Sequence, residues 1–193
     1  MSPTPTTSSI GVNGVGDRSP STGKLADPTA GFVGATGCPL AAGIGDHGAM
    51  SEPPIQIRHA STADAGAVAL LAGELAQSFA FSREKFDQTY PQLLTAVDAC
   101  LLLAVSEDQC LGYLLGFRHP TFYANGPVGW VEEVLVRTEL RGAGLGRALM
   151  SAFELWAAEQ GCALVALATR RAGPFYRALG YEESAAYFRK LLD

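Results

Sequence analysis

Three glycines alternate with other residues in Arg141-Gly142-Ala143-Gly144-Leu145-Gly146-Arg147. A helix starting here would add the unpaired N–H groups of its first turn, with their partial positive charge, to backbone that glycine leaves uncovered. Such a junction cradles a phosphate or pyrophosphate, and Arg141 and Arg147 add charge to it. The plain alternative is a tight connection, for which one glycine would suffice. Two nucleotide readings fail on the residues. A dinucleotide fingerprint needs GxGxxG at the first strand–helix turn and an acidic residue about 20 positions on. Here Arg147 takes the place of the third glycine, and the next strand ends at Ala168–Thr169 with no carboxylate. A P-loop needs Gly-Lys-Ser/Thr, and Gly146 is followed by Arg147 and Ala148. Upstream, Glu132 and Glu133 form an acidic pair on a strand. Successive strand residues point to opposite faces, so one of them would look into a cleft unless a bulge upsets the parity.

The elements that must position these residues follow from local pattern. Residues 55–58 alternate as a strand. Residues 61–64, Ser-Thr-Ala-Asp, have the spacing of a capping box. Val68, Leu71, Ala72, Leu75 and Phe79 then form an amphipathic helical stripe. A second helix begins near Ser82, and Pro91 is expected to break or kink it. Residues 100–106 and 110–117 are two apolar runs joined by a turn near Glu107–Gln109, a hairpin. Residues 118–127 have loop chemistry, and 128–137 form another strand. Leu145, Leu149, Phe153 and Trp156 mark a helix ending near Gly161. Residues 162–169 are a buried strand, 173–179 a short helix stopped by Gly180, and 181–192 a final strand. The order β-α-α-β-β-β-α-β-α-β is that of a mixed α/β domain with helices packed on a sheet.

Bulk properties narrow the function. A net charge of −5 and a pI near 5.2 argue against general nucleic-acid binding. No apolar run reaches the roughly 18 residues of a membrane span. Cys38, Cys100, Cys110 and Cys162 are scattered, without metal-ligand spacing, and read as reduced thiols of a cytoplasmic protein. Residues 1–49 hold 10 Gly, 5 Pro and 11 Ser or Thr, too little apolar surface to offset chain entropy, so they are expected to be a disordered tail before a domain at 50–193. They lack the basic start and apolar core of a secretory signal. A second reading makes Met50 the true start.

With the elements in place, residues 55–193 resemble the GNAT superfamily of acyl-CoA-dependent N-acetyltransferases. The family's central pattern, R/Q-x-x-G-x-G/A, is matched in full by Arg141 to Gly146, behind a strand ending in Val-Leu-Val-Arg. The later pattern N-x-x-A-x-x-F-Y-x-x-x-G-F/Y is matched at Ala172, Phe175, Tyr176, Gly180 and Tyr181, with Thr169 in place of asparagine. Residues 57–75 also resemble the family's first strand and helix.

The resemblance implies an α/β fold with a mixed, mostly antiparallel sheet and flanking helices. Its central parallel pair, 128–137 and 162–169, would splay apart around the pantetheine of acetyl-CoA. The main chain of Val134, Leu135 and Val136 would bond the pantetheine amides by strand addition. The N–H groups from Gly142 through Ala143, Gly144, Leu145 and Gly146 to Arg147 would hold the pyrophosphate, with Arg141 beside them. Thr169 would be a cofactor contact of shorter reach than asparagine. No metal is implied. The reaction would be direct attack of an amine on the thioester in a ternary complex, with Tyr176, also in contact with the cofactor, as general acid. Glu132 is the first choice of base and Glu133 the second. Both also read as plain charged groups at the strand splay, and a carboxylate there could instead bind a cationic substrate or relay a proton through water. His119, Phe122 and Tyr123 are candidate acceptor contacts, and Arg170 and Arg171 candidate partners of the cofactor's 3′-phosphate. The acceptor would be a small amine or a protein amino group. A homodimer through the exposed final strand is left open, as is a non-catalytic acyl-CoA sensor.

Overall fold

Alternating and continuous apolar runs become five strands that pair in chain order into one sheet in the computed structural model, which describes residues 54–76 and 79–192. They are β1 (Gln56–His59), β2 (Ala99–Ser106), β3 (Gln109–Pro120), β4 (Pro127–Val136) and β5 (Leu164–Leu167). The first three pairings are antiparallel, and β4 with β5 is parallel. Helices α1 (Ala65–Leu75) and α2 (Arg83–Thr95) cover one face, and α3 (Leu145–Glu159) and α4 (Gly173–Ala178) cover the other. All lie in the compact unit Ala49–Asp193. The tail expected over 1–49, Met50 and Cys38 lie outside the described residues. Among those described, no helix is long and apolar enough to cross a membrane.

The two faces of the sheet carry two cores. Leu101, Leu103, Val105, Tyr113, Leu115 and Leu135 meet Val68 and Leu71 of α1 and Tyr90 of α2. Cys100, Leu102, Ala104, Leu114 and Val131 meet Leu145, Leu149, Met150 and Phe153 of α3. The period of 2 in the strands thus sorts side chains between helices of opposite faces. Phe153 is fully buried, and a Cβ on Gly116 of β3 would lie 2.4 Å from its ring, so only glycine at 116 admits it. Truncating a phenylalanine in such a site costs about 3–5 kcal/mol. This contact fixes the height of α3, and with it the glycine-rich turn at its start.

Three expectations need correction. Helix α2 runs through Pro91 unbroken. Pro91 is exposed, so the Asp87 carbonyl it leaves without an intrahelical donor faces water, which can satisfy it. Strands β3 and β4 extend further than expected, so the loop shrinks to residues 121–126 and His119 pairs with Val128 inside the ladder. Residues 181–192 form no strand. Their apolar residues Tyr187, Phe188, Leu191 and Leu192 fall in adjacent pairs rather than alternating, and all are exposed. The parallel pair therefore ends the sheet, and β5 is shorter and less buried than the run 162–169 implied. The described cysteines Cys100, Cys110 and Cys162 are free thiols.

The 61–64 segment caps its helix as its spacing implied. The Asp64 carboxylate accepts the Ser61 N–H at 2.7 Å and holds Arg58 of β1 through two hydrogen bonds of 2.8 and 2.7 Å. The Tyr90 hydroxyl of α2 donates to the Ser61 carbonyl at 2.7 Å. The Arg58 guanidinium, with the Ser61 donors, holds the Asp64 carboxyl well below the usual carboxylate range. A depressed carboxylate stabilises the fold above its unfolded value, near 3.9, and loses that contribution as pH falls below it. Asp64→Asn should lower the melting temperature at pH 7 by about 2–4 °C, the shift expected for about 1 kcal/mol in a chain of this size. Melting curves of both forms should converge as pH falls below about 4; a difference unchanged at pH 3 would contradict this role.

Candidate active site

The parallel pair opens where a site is needed. Strands β4 and β5 pair from Val128↔Leu164 to Val131↔Leu167 and no further, while β4 continues to Val136. Backbone 132–136 thus has no β5 partner, which is the expected splay. On its other side, β4 matches Glu133 to Leu115 and Val131 to Gly116, leaving Glu132 as an extra residue. This is a β-bulge, and it upsets the alternation. Trp130 and Glu132 share a face, since the indole Nε1–H donates to Glu132 Oε2 at 2.9 Å. Glu133 receives the Tyr113 hydroxyl at 2.6 Å on the α1/α2 side. The parity expectation of one inward glutamate therefore gives way: both carboxylates line the same cleft.

That cleft has a volume near 690 Å³, within the range of small-molecule sites. One wall is β4 from Val131 to Val134, and the other is the segment Leu167–Ala172 after β5. Tyr176 of α4, Phe79, Arg189 and the last turn of α1 (Ala72, Leu75, Ala76) complete it. Tyr176 stacks edge-on against Phe175 at 5.0 Å and Tyr181 at 5.8 Å. Burial pushes its phenol above the ordinary tyrosine value, so it stays protonated through neutral pH. Among the described residues its hydroxyl has no hydrogen-bond partner. The Thr169 hydroxyl accepts the Ala172 N–H at 3.1 Å and so shapes the entry to α4; it keeps its own proton to donate. Arg170 and Arg171 stand on the same wall.

The glycine-rich turn lies past the end of β4 and does not line this cleft. Its glycines divide into two roles. Gly142 and Gly144 have φ of +87° and +86°, and a Cβ on either would meet nothing within 4 Å. They are glycine for conformation, and the space before them is open. Gly146 is glycine for packing, because a Cβ there would lie 3.2 Å from the ring of Phe175. No side chain caps α3, and its first helical bond runs from Ala148 N–H to the Gly144 carbonyl at 3.0 Å. The N–H groups of Leu145, Gly146 and Arg147 are therefore left for an external acceptor. Arg147 reaches across to the Ala178 carbonyl of α4 at 3.3 Å, and Arg141 Nε–H donates to the Val136 carbonyl at 3.4 Å. Val134 is on the cleft wall, Leu135 is buried in the α1/α2 core, and Val136 packs on the α3 side.

Some expected residues stay apart, and some were missed. His119, Phe122 and Tyr123 are exposed and outside the cleft lining, and α1 but not α2 borders it. Tyr113, Trp130 and Arg189 escaped the sequence reading. Tyr113 left a usable signal: a tyrosine inside a buried apolar run needs a partner for its hydroxyl. Among the described residues no group of three or more His, Cys, Asp or Glu is placed to hold a metal.

A splayed parallel pair, a bulged strand and an uncapped glycine-rich helix start are the setting in which known proteins can be compared. The model of the acetyltransferase (GNAT) family matches residues 69–181. The chain belongs to the GNAT acetyltransferase family. An aminoglycoside N(6′)-acetyltransferase type 1 of Stenotrophomonas maltophilia is 33% identical over 148 residues, 71% of this chain and 94% of that protein. Glucosamine-6-phosphate N-acetyltransferase from Arabidopsis thaliana superposes with a TM-score of 0.65 at 21% identity, over 72% of this chain and 99% of that one. An aminoglycoside N-acetyltransferase solved in complex with CoA gives 0.64 at 19% identity, over 72% and 95% of the two chains. This GNAT chain is an N-acetyltransferase: it transfers an acetyl group to an amine. If the turn holds CoA as the family resemblance implies, Gly144→Val should weaken CoA binding roughly tenfold, since a β-branched residue at positive φ must rebuild the turn. Calorimetry that returns the unmutated affinity would remove Gly144 from the cofactor site.

Proposed function

We propose that this acetyltransferase takes its acetyl group from acetyl-CoA and delivers it to a primary amine of a small polycationic acceptor, an amino sugar of the aminoglycoside class. The observation that carries this reading is the paired carboxylates of Glu132 and Glu133 on one face of one cleft. The last turn of α1 borders the same space without a basic residue, and a helix C-terminus carries partial negative charge. Both features favour a cation beside β4, while Arg170, Arg171 and Arg189, which line the same cleft, suit the anionic cofactor. The 33% identical aminoglycoside N(6′)-acetyltransferase supports the acceptor class. The free thiols support a cytoplasmic site of action.

The turn Gly142–Arg147, with Arg141, holds the pyrophosphate on its free N–H groups. The backbone of Val134, Leu135 and Val136, which has no β5 partner, bonds the pantetheine amides on that open side as an added strand would, and Thr169 donates from the opposite wall. A carboxylate of the glutamate pair takes a proton from the acceptor ammonium. The amine nitrogen then attacks the thioester carbonyl carbon, the new C–N bond forms, the nitrogen releases its second proton to solvent, and the C–S bond breaks. Tyr176 gives its phenolic proton to the departing sulfur and recovers one from solvent. Its burial keeps the proton in place until it is needed.

The direct test measures thiol release from acetyl-CoA with a panel of aminoglycosides, simple diamines and lysine peptides. Turnover is expected on the aminoglycosides first. Acetyl-CoA binding without thiol release on any member would overturn the reading in favour of a sensor. Tyr176→Phe should lower kcat by about 100-fold, the scale of a lost general acid, with acetyl-CoA affinity nearly unchanged. In the unmutated enzyme no alkaline loss of kcat assignable to Tyr176 is expected below about pH 10, the ordinary tyrosine value. A Phe variant with full, chemistry-limited turnover would remove Tyr176 from the mechanism.

A further inference from the structure

The two glutamates of the cleft are held by different kinds of partner. Glu132 is bound by Trp130, two residues away on the same strand, in an exposed contact. Glu133 is bound by Tyr113, which stands on β3 and is 1% exposed. Tyr113 pairs with Leu135 and Glu133 with Leu115, so the two are diagonal neighbours across the β3–β4 ladder. The Tyr113 ring is packed in the α1/α2 core with Leu71, Leu103 and Leu115. A ring so enclosed has one orientation, and its hydroxyl is delivered to one place. Burial, the adjoining Glu133 carboxylate and the bond to it together push the Tyr113 phenol far above its ordinary value, so it acts as a permanent donor.

A glutamate side chain turns freely about its last bond unless something holds it. The 2.6 Å bond fixes Oε2 of Glu133 and leaves Oε1 as the free acceptor. We infer that Tyr113 is a positioning residue that aligns Glu133 in the cleft, and that Glu133 rather than Glu132 takes the proton from the acceptor amine. Glu132, exposed and held only along its own strand, binds the cationic acceptor. The division comes from the bulge, which turns both carboxylates to one face but brings Glu133 alone within reach of the core tyrosine.

This inference rests on the acetyl-transfer reading above, and the experiment separates the two. Thiol release is measured with acetyl-CoA and an accepted amine for the unmutated enzyme and for Tyr113→Phe, Glu133→Gln, Glu132→Gln and the Tyr113→Phe/Glu133→Gln pair. Tyr113→Phe should lower kcat roughly tenfold, within what a misaligned catalytic group loses, with KM for both substrates held within about twofold. Glu133→Gln should lose about 100-fold or more in kcat, and the double variant should lose no more than Glu133→Gln alone, because Tyr113 then has no base to align. Glu132→Gln should act mainly by raising KM for the amine. A merely structural Tyr113 would give losses that multiply in the double variant, and that result overturns the positioning role. Loss with Glu132→Gln and none with Glu133→Gln overturns the choice of base. Either failure leaves acetyl transfer standing, whereas absence of thiol release from the unmutated enzyme defeats the reading beneath both. Should Tyr113→Phe not fold, the hydroxyl proton of Tyr113 can be followed by NMR in the unmutated protein. It should be a slowly exchanging, strongly downfield resonance that moves when an amine inhibitor binds, and an unmoved resonance counts against the inference.

Discussion

One extra residue in β4 governs the rest of the site. Without Glu132 as a bulge, β4 would alternate strictly, and one of the two glutamates would point into the α3 core. A bulge also bends and over-twists its strand. Pairing with β5 stops at Val131, directly before it. Divergence of the parallel strands and convergence of the carboxylates thus sit at a single backbone irregularity.

That irregularity is held in place from both faces. On one side Phe153 fills the space that Gly116 leaves open, and Gly116 is the β3 residue opposite Val131, next to the bulge. On the other side Tyr113 and Leu115 are packed under α1. Neither helix is optional to the geometry. The Arg58–Asp64 clasp and the Tyr90–Ser61 bond fasten the start of α1 to β1 and α2, which in turn sets where the last turn of α1 meets the cleft.

Much of this was legible in the amino-acid sequence, and the exceptions have physical reasons. The strands and helices that follow a clear period were found close to their limits. The Arg141–Gly146 pattern and the Ala172–Tyr181 pattern led to the right family. The helix is not broken at Pro91, because the cost of a proline there depends on whether the freed Asp87 carbonyl faces water, which only packing decides. The strand expected over 181–192 does not form, since Tyr187 and Phe188, and Leu191 and Leu192, stand in adjacent pairs without a strand's alternation. The parity of Glu132 and Glu133 was readable only as a condition, since no residue near 132 marks a bulge. The tyrosine at 113 inside an apolar run signalled a need for a partner but could not name it, because that partner lies 20 positions away and strand register, not local pattern, brings them together.

The contact between Gly146 and Phe175 has a consequence for how this enzyme can be taken apart. The ring that rests on the first turn of α3 is the neighbour in sequence of the phenol in the cleft, and Arg147 ties the same turn to the end of α4. The glycine-rich turn and Tyr176 are therefore one mechanical piece. On the roles proposed for the turn and for Tyr176, a lesion at the turn displaces the phenol as well, and its phenotype imitates a chemical defect. Turnover alone is a poor diagnostic of where such an enzyme is damaged, and binding must be measured beside it.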